Sequence, residues 1–215
     1  MKAFVNKYNY LTKLIFFMGI TIMLYYLQNF PRRSIMKEAI SLLTVLSFTF
    51  MAAQFYFTRA FRDIECKGKM SHVVTIHKIT GYIFSVLLVF HPFLIVLPRY
   101  FEGGIKPQDA FLQIITTLNN KALIAGMIAW FILIILGITS FLREKFFSSY
   151  INWRWFHGGL SLIFIGFTIY HAVSLGRHFN LFMSMFYILL IFCGVAVLLR
   201  MYVSDKYKKE GLKNG

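Results

Sequence analysis

Several runs in this chain are apolar for about 18 residues or more, and runs of that length cross a bilayer as helices. They constrain the fold more than any other feature. With 58% hydrophobic, 19% aromatic and only 14% charged residues, a soluble domain of 215 residues could not hide its apolar surface. The sequence predicts an all-α membrane protein. Its bundle of six transmembrane helices is expected over 10–27, 38–58, 72–97, 120–142, 155–175 and 180–202. Residues 1–203 then make the bundle, and 204–215 a basic cytoplasmic tail. No small-residue cleavage pattern follows the first run, Leu14 to Leu27, so it reads as a span and not a signal. In the loop 98–119, Asp109 to Leu118 is mildly amphipathic and is expected to lie along the membrane surface.

Two of the spans carry histidine in the same pattern. His91 follows His77, and His171 follows His157, by the same 14 residues. That spacing is four helical turns less about 40°, so both histidines of a span point the same way, roughly 21 Å apart along the axis. The hydrocarbon core is about 30 Å thick, so each span offers one imidazole near each membrane surface. A lone histidine in a membrane helix serves as well as a bundle hydrogen-bonder. Two spans with identical spacing point further, to four imidazoles in two facing pairs. Such a pair is a bis-imidazole haem site, and two stacked b-type haems make an electron path across the membrane. The expected iron ligands are His77 with His157 in one tier and His91 with His171 in the other. His72 and His178 fall at the membrane edges and are not expected to be ligands.

Charge sets the orientation. Lys and Arg number 23 against 8 Asp and Glu, a net +15, but these residues sit in loops between spans. The positive-inside bias and attraction to anionic lipid account for them without a nucleic-acid partner. Fifteen basic residues fall on the side of the N-terminus and seven on the other, so both termini are expected in the cytoplasm of a multi-pass plasma-membrane protein. His77 and His157 then lie on the cytoplasmic side, and His91 and His171 on the outer side. Cys66 and Cys193 are the only cysteines and imply neither a disulfide framework nor a metal cluster.

Around the ligands, Phe84 and Phe164 stand midway along each histidine run. They serve either as bundle filler or as aromatic packing between the haems. Lys78 and Arg154, with Trp153, lie at the cytoplasmic edge, where anionic haem propionates or lipid headgroups would both suit them. Arg99, Arg177 and His178 could do the same outside. Pro92, directly after His91, is expected to disturb its helix. No glycine-rich nucleotide fingerprint is present, so reducing equivalents must come from elsewhere.

The segment His77-Lys78-Ile79-Thr80-Gly81-Tyr82, then His91-Pro92, Trp153-Arg154, His157 and His171, resembles the ferric reductase-like transmembrane family. That family includes the membrane halves of NADPH oxidases and iron reductases and the haem subunit of the periplasmic methionine sulfoxide reductase system. The resemblance covers spans two to six. It implies a six-helix bundle with two haem b, and its ligands carry over onto His77, His91, His157 and His171. It implies electrons from NAD(P)H through FAD or FMN on a partner flavin reductase or a missing flavodomain. The acceptor would be ferric iron, O2 or an extracytoplasmic protein. With both axial positions filled, transfer would be outer-sphere, and no residue of the chain is expected to be catalytic in its own right. A different class stays open: a haem-binding membrane anchor or quinone-linked subunit of a redox complex. A solute transporter fits less well, since paired intramembrane acids and broken-helix repeats are missing.

Overall fold

The computed structural model describes residues 15–28, 30–31, 33–56 and 70–211, except for the side chains of 70–73, 201 and 204–211. The N-terminal lysines, the basic loop with Cys66, the His72 side chain and the tail lysines lie outside the described residues. The basic count that orients the chain rests largely on them.

Among the described residues there are helices and no strand. The helices are α1 (Ile15–Tyr26), α2 (Ile35–Ala53), α3 (Met70–Gly103), α4 (Pro107–Thr116), α5 (Lys121–Phe141), α6 (Arg143–Phe146), α7 (Tyr150–Leu175) and α8 (Leu181–Gly211). Five of them, α2, α3, α5, α7 and α8, contain stretches long and apolar enough to cross a membrane; α1 is apolar and shorter as described. The chain is therefore a multi-pass membrane protein. Its large apolar side chains face outward as readily as inward: Phe131 is 59% exposed and Phe182 and Phe192 are each 70% exposed, a surface suited to lipid.

Helix starts follow local chemistry. Ser34 caps α2 through the Lys37 N–H, and Asn120 caps α5 by accepting from the N–H of Ala122 and Leu123. Asn180 accepts from the Met183 N–H at the start of α8, 2.9 Å away. Gly104 ends α3 at φ 65°, a left-handed conformation that glycine adopts without a Cβ penalty. The amphipathic stretch after it is α4, bounded Pro107–Thr116 and pinned to α3 by a Phe93–Phe111 stack with centroids 5.1 Å apart. Helix α3 runs on through Pro92 and Pro98 as one element. Pro92 leaves the Leu88 carbonyl without its helical donor. Beside it, the Trp130 indole of α5 donates to the Val89 carbonyl at 2.8 Å. The last helix reaches Gly211, into the stretch expected as a tail.

Helix α5 packs along α7, α2 along α3, and α8 against both α2 and α7. The buried cluster includes Phe48, Ala52, Leu133, Phe164, Met183 and Tyr187. One polar thread crosses it. The Thr21 and Thr49 hydroxyls lie 3.1 Å apart, Thr49 meets the Tyr187 hydroxyl at 2.6 Å, and Tyr187 donates to the Val45 carbonyl at 3.1 Å. Each such interhelical bond in lipid contributes about 0.6–2 kcal/mol, and this set fixes α1, α2 and α8 in register.

Candidate cofactor site

Helix α3 brings His77 and helix α7 brings His157 to the same level of the bundle. Their ring centroids are 6.4 Å apart. Two metal–nitrogen bonds of about 2 Å each, laid end to end with the half-widths of two imidazoles, span roughly 6 Å between centroids. The pair is therefore spaced for one metal between its rings. Both imidazoles line a cavity of about 690 Å3, within the roughly 300–1,000 Å3 typical of cofactor sites.

The rest of the wall suits a large, flat, mostly apolar group with an anionic edge. Gly81, Gly137 and Gly158 lie along it, and a Cβ built on Gly137 would meet nothing within 4 Å. Phe164, 5% exposed, closes its inner side. Lys78, Arg143, Lys145 and Arg154 bring positive charge to it, offset in part by Glu144, which lines the same wall and pairs with Arg143 at 2.8 Å, and the Trp153 indole nitrogen is buried with no hydrogen-bond partner. Trp153 also stacks on His157, centroids 5.1 Å apart, while the Arg143 guanidinium sits 5.8 Å over the Trp153 ring. Among the described residues no group of three or more His, Cys, Asp or Glu could hold a bare ion. A pair of imidazoles instead suits a metal whose other ligands come with it, as a porphyrin supplies them.

His91 and His171 sit toward the other end of α3 and α7, within electrostatic reach of each other. The cavity does not extend to them. Each is held through Nδ1: His91 by the Thr44 hydroxyl at 3.1 Å, His171 by the Ala122 carbonyl at 2.9 Å. Gly126 lies so close to His171 that a Cβ there would stand 2.6 Å from its Cε1 and 2.9 Å from its Cγ. In the first pair, the Ser140 hydroxyl lies 3.2 Å from His157 Nδ1, and His77 Nδ1 is buried without a partner. Among the described residues, none makes a hydrogen bond to the Nε2 of any of the four.

Lys78 and Arg154 both line the cavity; the Arg154 carbonyl accepts from the Tyr202 hydroxyl at 2.9 Å, and the guanidinium lies 5.6 Å over that ring. Phe84 is not in the wall and stacks flat on Phe50, centroids 3.7 Å apart. Arg99 reaches Gln113, and Arg177 donates to the Pro31 carbonyl. His178 is 5% exposed, stacked on Tyr25 with its Nε2 3.6 Å from Glu38. Burial holds its pKa below the usual histidine value, only partly offset by the Glu38 carboxylate. Sequence reasoning missed Thr44, Ser140, Gly126 and Phe50. Hydroxyls inside apolar runs were the available signal for the first two.

A family model described as "Ferric reductase like transmembrane component" matches residues 43–168. An Archaeoglobus fulgidus protein, described as an uncharacterized protein, is 48% identical over 172 residues, covering 80% of this chain and 93% of the relative. No solved structure matches.

Proposed function

The chain belongs to the ferric reductase-like transmembrane family, and from that premise we propose that it is a transmembrane di-haem cytochrome b. At family level it is an oxidoreductase of transmembrane electron transfer. In the finer reading, electrons enter on the cytoplasmic side from a reduced FAD or FMN, fed by NAD(P)H on a partner or further domain. They leave outside to ferric iron, O2 or an extracytoplasmic protein. Both termini face the cytoplasm of the plasma membrane.

The observation that carries the reading is the 6.4 Å spacing of the His77 and His157 rings across a cavity of about 690 Å3. Haem b, held there by these two and in the outer tier by His91 and His171, would supply one-electron ferric–ferrous chemistry. The chain's own residues do the rest. Two imidazoles per tier would hold the group from both sides and would leave the acceptor only outer-sphere contact. Lys78, Arg143 and Arg154 offset carboxylate charge at the inner edge. Phe164 and the Phe50–Phe84 stack keep water out of the bundle between the tiers.

Absorbance of the purified full chain tests this. A low-spin b-type spectrum with about two haems per chain is expected, falling to about one in His157→Ala. A chain that takes up no haem, or a His157→Ala variant that keeps both, overturns the reading.

A further inference from the structure

We propose that Thr44 and Ser140 are positioning residues that fix the tautomer and tilt of one axial imidazole in each tier and so set the redox balance of that tier. The inference rests on the bis-imidazole reading above and assigns a role to two side chains that reading does not use.

The Thr44 hydroxyl settles its own direction. It donates its hydrogen to the Ile40 carbonyl at 2.8 Å, so toward His91 Nδ1, 3.1 Å away, it can only accept. His91 Nδ1 therefore carries the proton, and Nε2 is left with its lone pair. The Ala122 carbonyl imposes the same tautomer on His171, because a carbonyl only accepts. Ser140 Oγ stands 3.2 Å from His157 Nδ1 and bonds to nothing else among the described residues. It accepts from Nδ1 once Nε2 binds a metal. His77, by contrast, has a buried Nδ1 with no partner. The outer tier thus has both rings held by an acceptor, and the inner tier only one.

An acceptor on Nδ1–H pushes electron density toward Nε2, which stabilises the ferric over the ferrous state. Removing the acceptor favours reduction. Thr44→Val keeps the branched shape and deletes the oxygen; Ser140→Ala deletes the oxygen in the inner tier. Each substitution moves its own tier and leaves the other in place.

The test is an optical redox titration of the purified full chain, with haem counted per chain in every variant. Thr44→Val is expected to raise the ferrous-to-ferric ratio of one component up to about tenfold at fixed potential, an upward shift of up to about 59 mV for one electron. Ser140→Ala shifts the other component in the same sense. Thr44→Ser, which restores the hydroxyl, returns the wild-type value. Should Thr44→Val lose its haem while Thr44→Ser retains it at the wild-type potential, the hydroxyl is again the group required. Unchanged potentials at unchanged haem content overturn the proposal and leave the di-haem reading standing. A wild-type chain without haem overturns that reading instead.

Discussion

Replacing Gly126 with alanine puts the two-tier arrangement under a specific strain. The new methyl would stand 2.6 Å from His171 Cε1 and 2.9 Å from Cγ, with Nδ1 nearer still. Ordinary carbon contacts lie at about 3.5–4.0 Å, so the imidazole must retreat from α5 by roughly 1 Å. Its acceptor, the Ala122 carbonyl, sits one turn earlier on the same helix at 2.9 Å, so the retreat stretches that bond past the hydrogen-bond limit of about 3.5 Å. A buried N–H left without an acceptor costs about 1–3 kcal/mol. At about 1.4 kcal/mol per tenfold, the outer site should hold its haem roughly 5- to 150-fold more weakly. The inner tier, built on His77 and His157, should be untouched. The assay is haem content per chain, by reduced-minus-oxidised spectra, during competition with a soluble haem-binding protein. Gly159→Ala is the control, since its Cβ meets nothing within 4 Å on the same scale. Gly126→Ala retaining both haems as tightly as wild type would refute the reasoning. So would an equal loss in Gly159→Ala, which would make the effect a general one of glycine in these helices.

Gly137→Leu tests the inner cavity in the complementary direction. Gly137 is in the cavity wall with open space beyond it, so the isobutyl group should displace the inner haem, leaving about one per chain with helical circular dichroism unchanged. Two haems retained would place the cofactor elsewhere. The end of the bundle that holds His178 carries a pH dependence. Burial lowers the pKa of His178, with Arg33 and Arg177 adding to that effect and Glu38 opposing it. The unfolded chain takes up this proton near pH 6.5, the folded chain only at lower pH. The stability it confers is full above about 6.5 and falls as pH drops toward the folded pKa, so stability rises with pH in that window. Thermal unfolding midpoints at about pH 7.5 and 5.5 should therefore differ in wild type and differ less in His178→Gln; an equal gap in both variants sinks the assignment.

Five of the membrane-crossing helices were legible because backbone satisfaction in lipid leaves few alternatives to a helix, and the length of each apolar run is visible residue by residue. The approach of His77 to His157 was legible for a related reason: a 14-residue interval along each helix fixes both axial distance and facing direction. Helix ends were less so. The expectation that α2 continues to 58 met a turn at Gln54 to Tyr56, and α7 begins five residues before its apolar core, at Tyr150. Apolarity marks the stretch inside lipid, whereas a helix continues into the interface wherever its backbone stays bonded. Phe84 shows a further limit. Its position midway between His77 and His91 is correct on the helix, yet its ring turned to Phe50, a partner on another helix that no spacing rule within α3 could reveal.

The hydroxyls show why the inner shell of the site was hidden. In a membrane helix a Ser or Thr can satisfy itself by donating to the carbonyl one turn back, and this chain does so repeatedly: Ser47 to Leu43, Thr80 to Ile76, Thr139 to Ile135, Ser161 to His157 and Thr168 to Phe164. Sequence offers nothing to separate these from Thr44, which makes the same back-bond to Ile40. The distinction lies entirely in what stands opposite. Once its hydrogen is committed to Ile40, the Thr44 oxygen is an obligate acceptor, and helix packing brings His91 Nδ1 to it. Ser140 reaches its histidine without any back-bond. A hydroxyl that is locally satisfied is thus not thereby inert: the back-bond fixes the direction of the second bond, and with it which nitrogen of the facing imidazole is left for a metal.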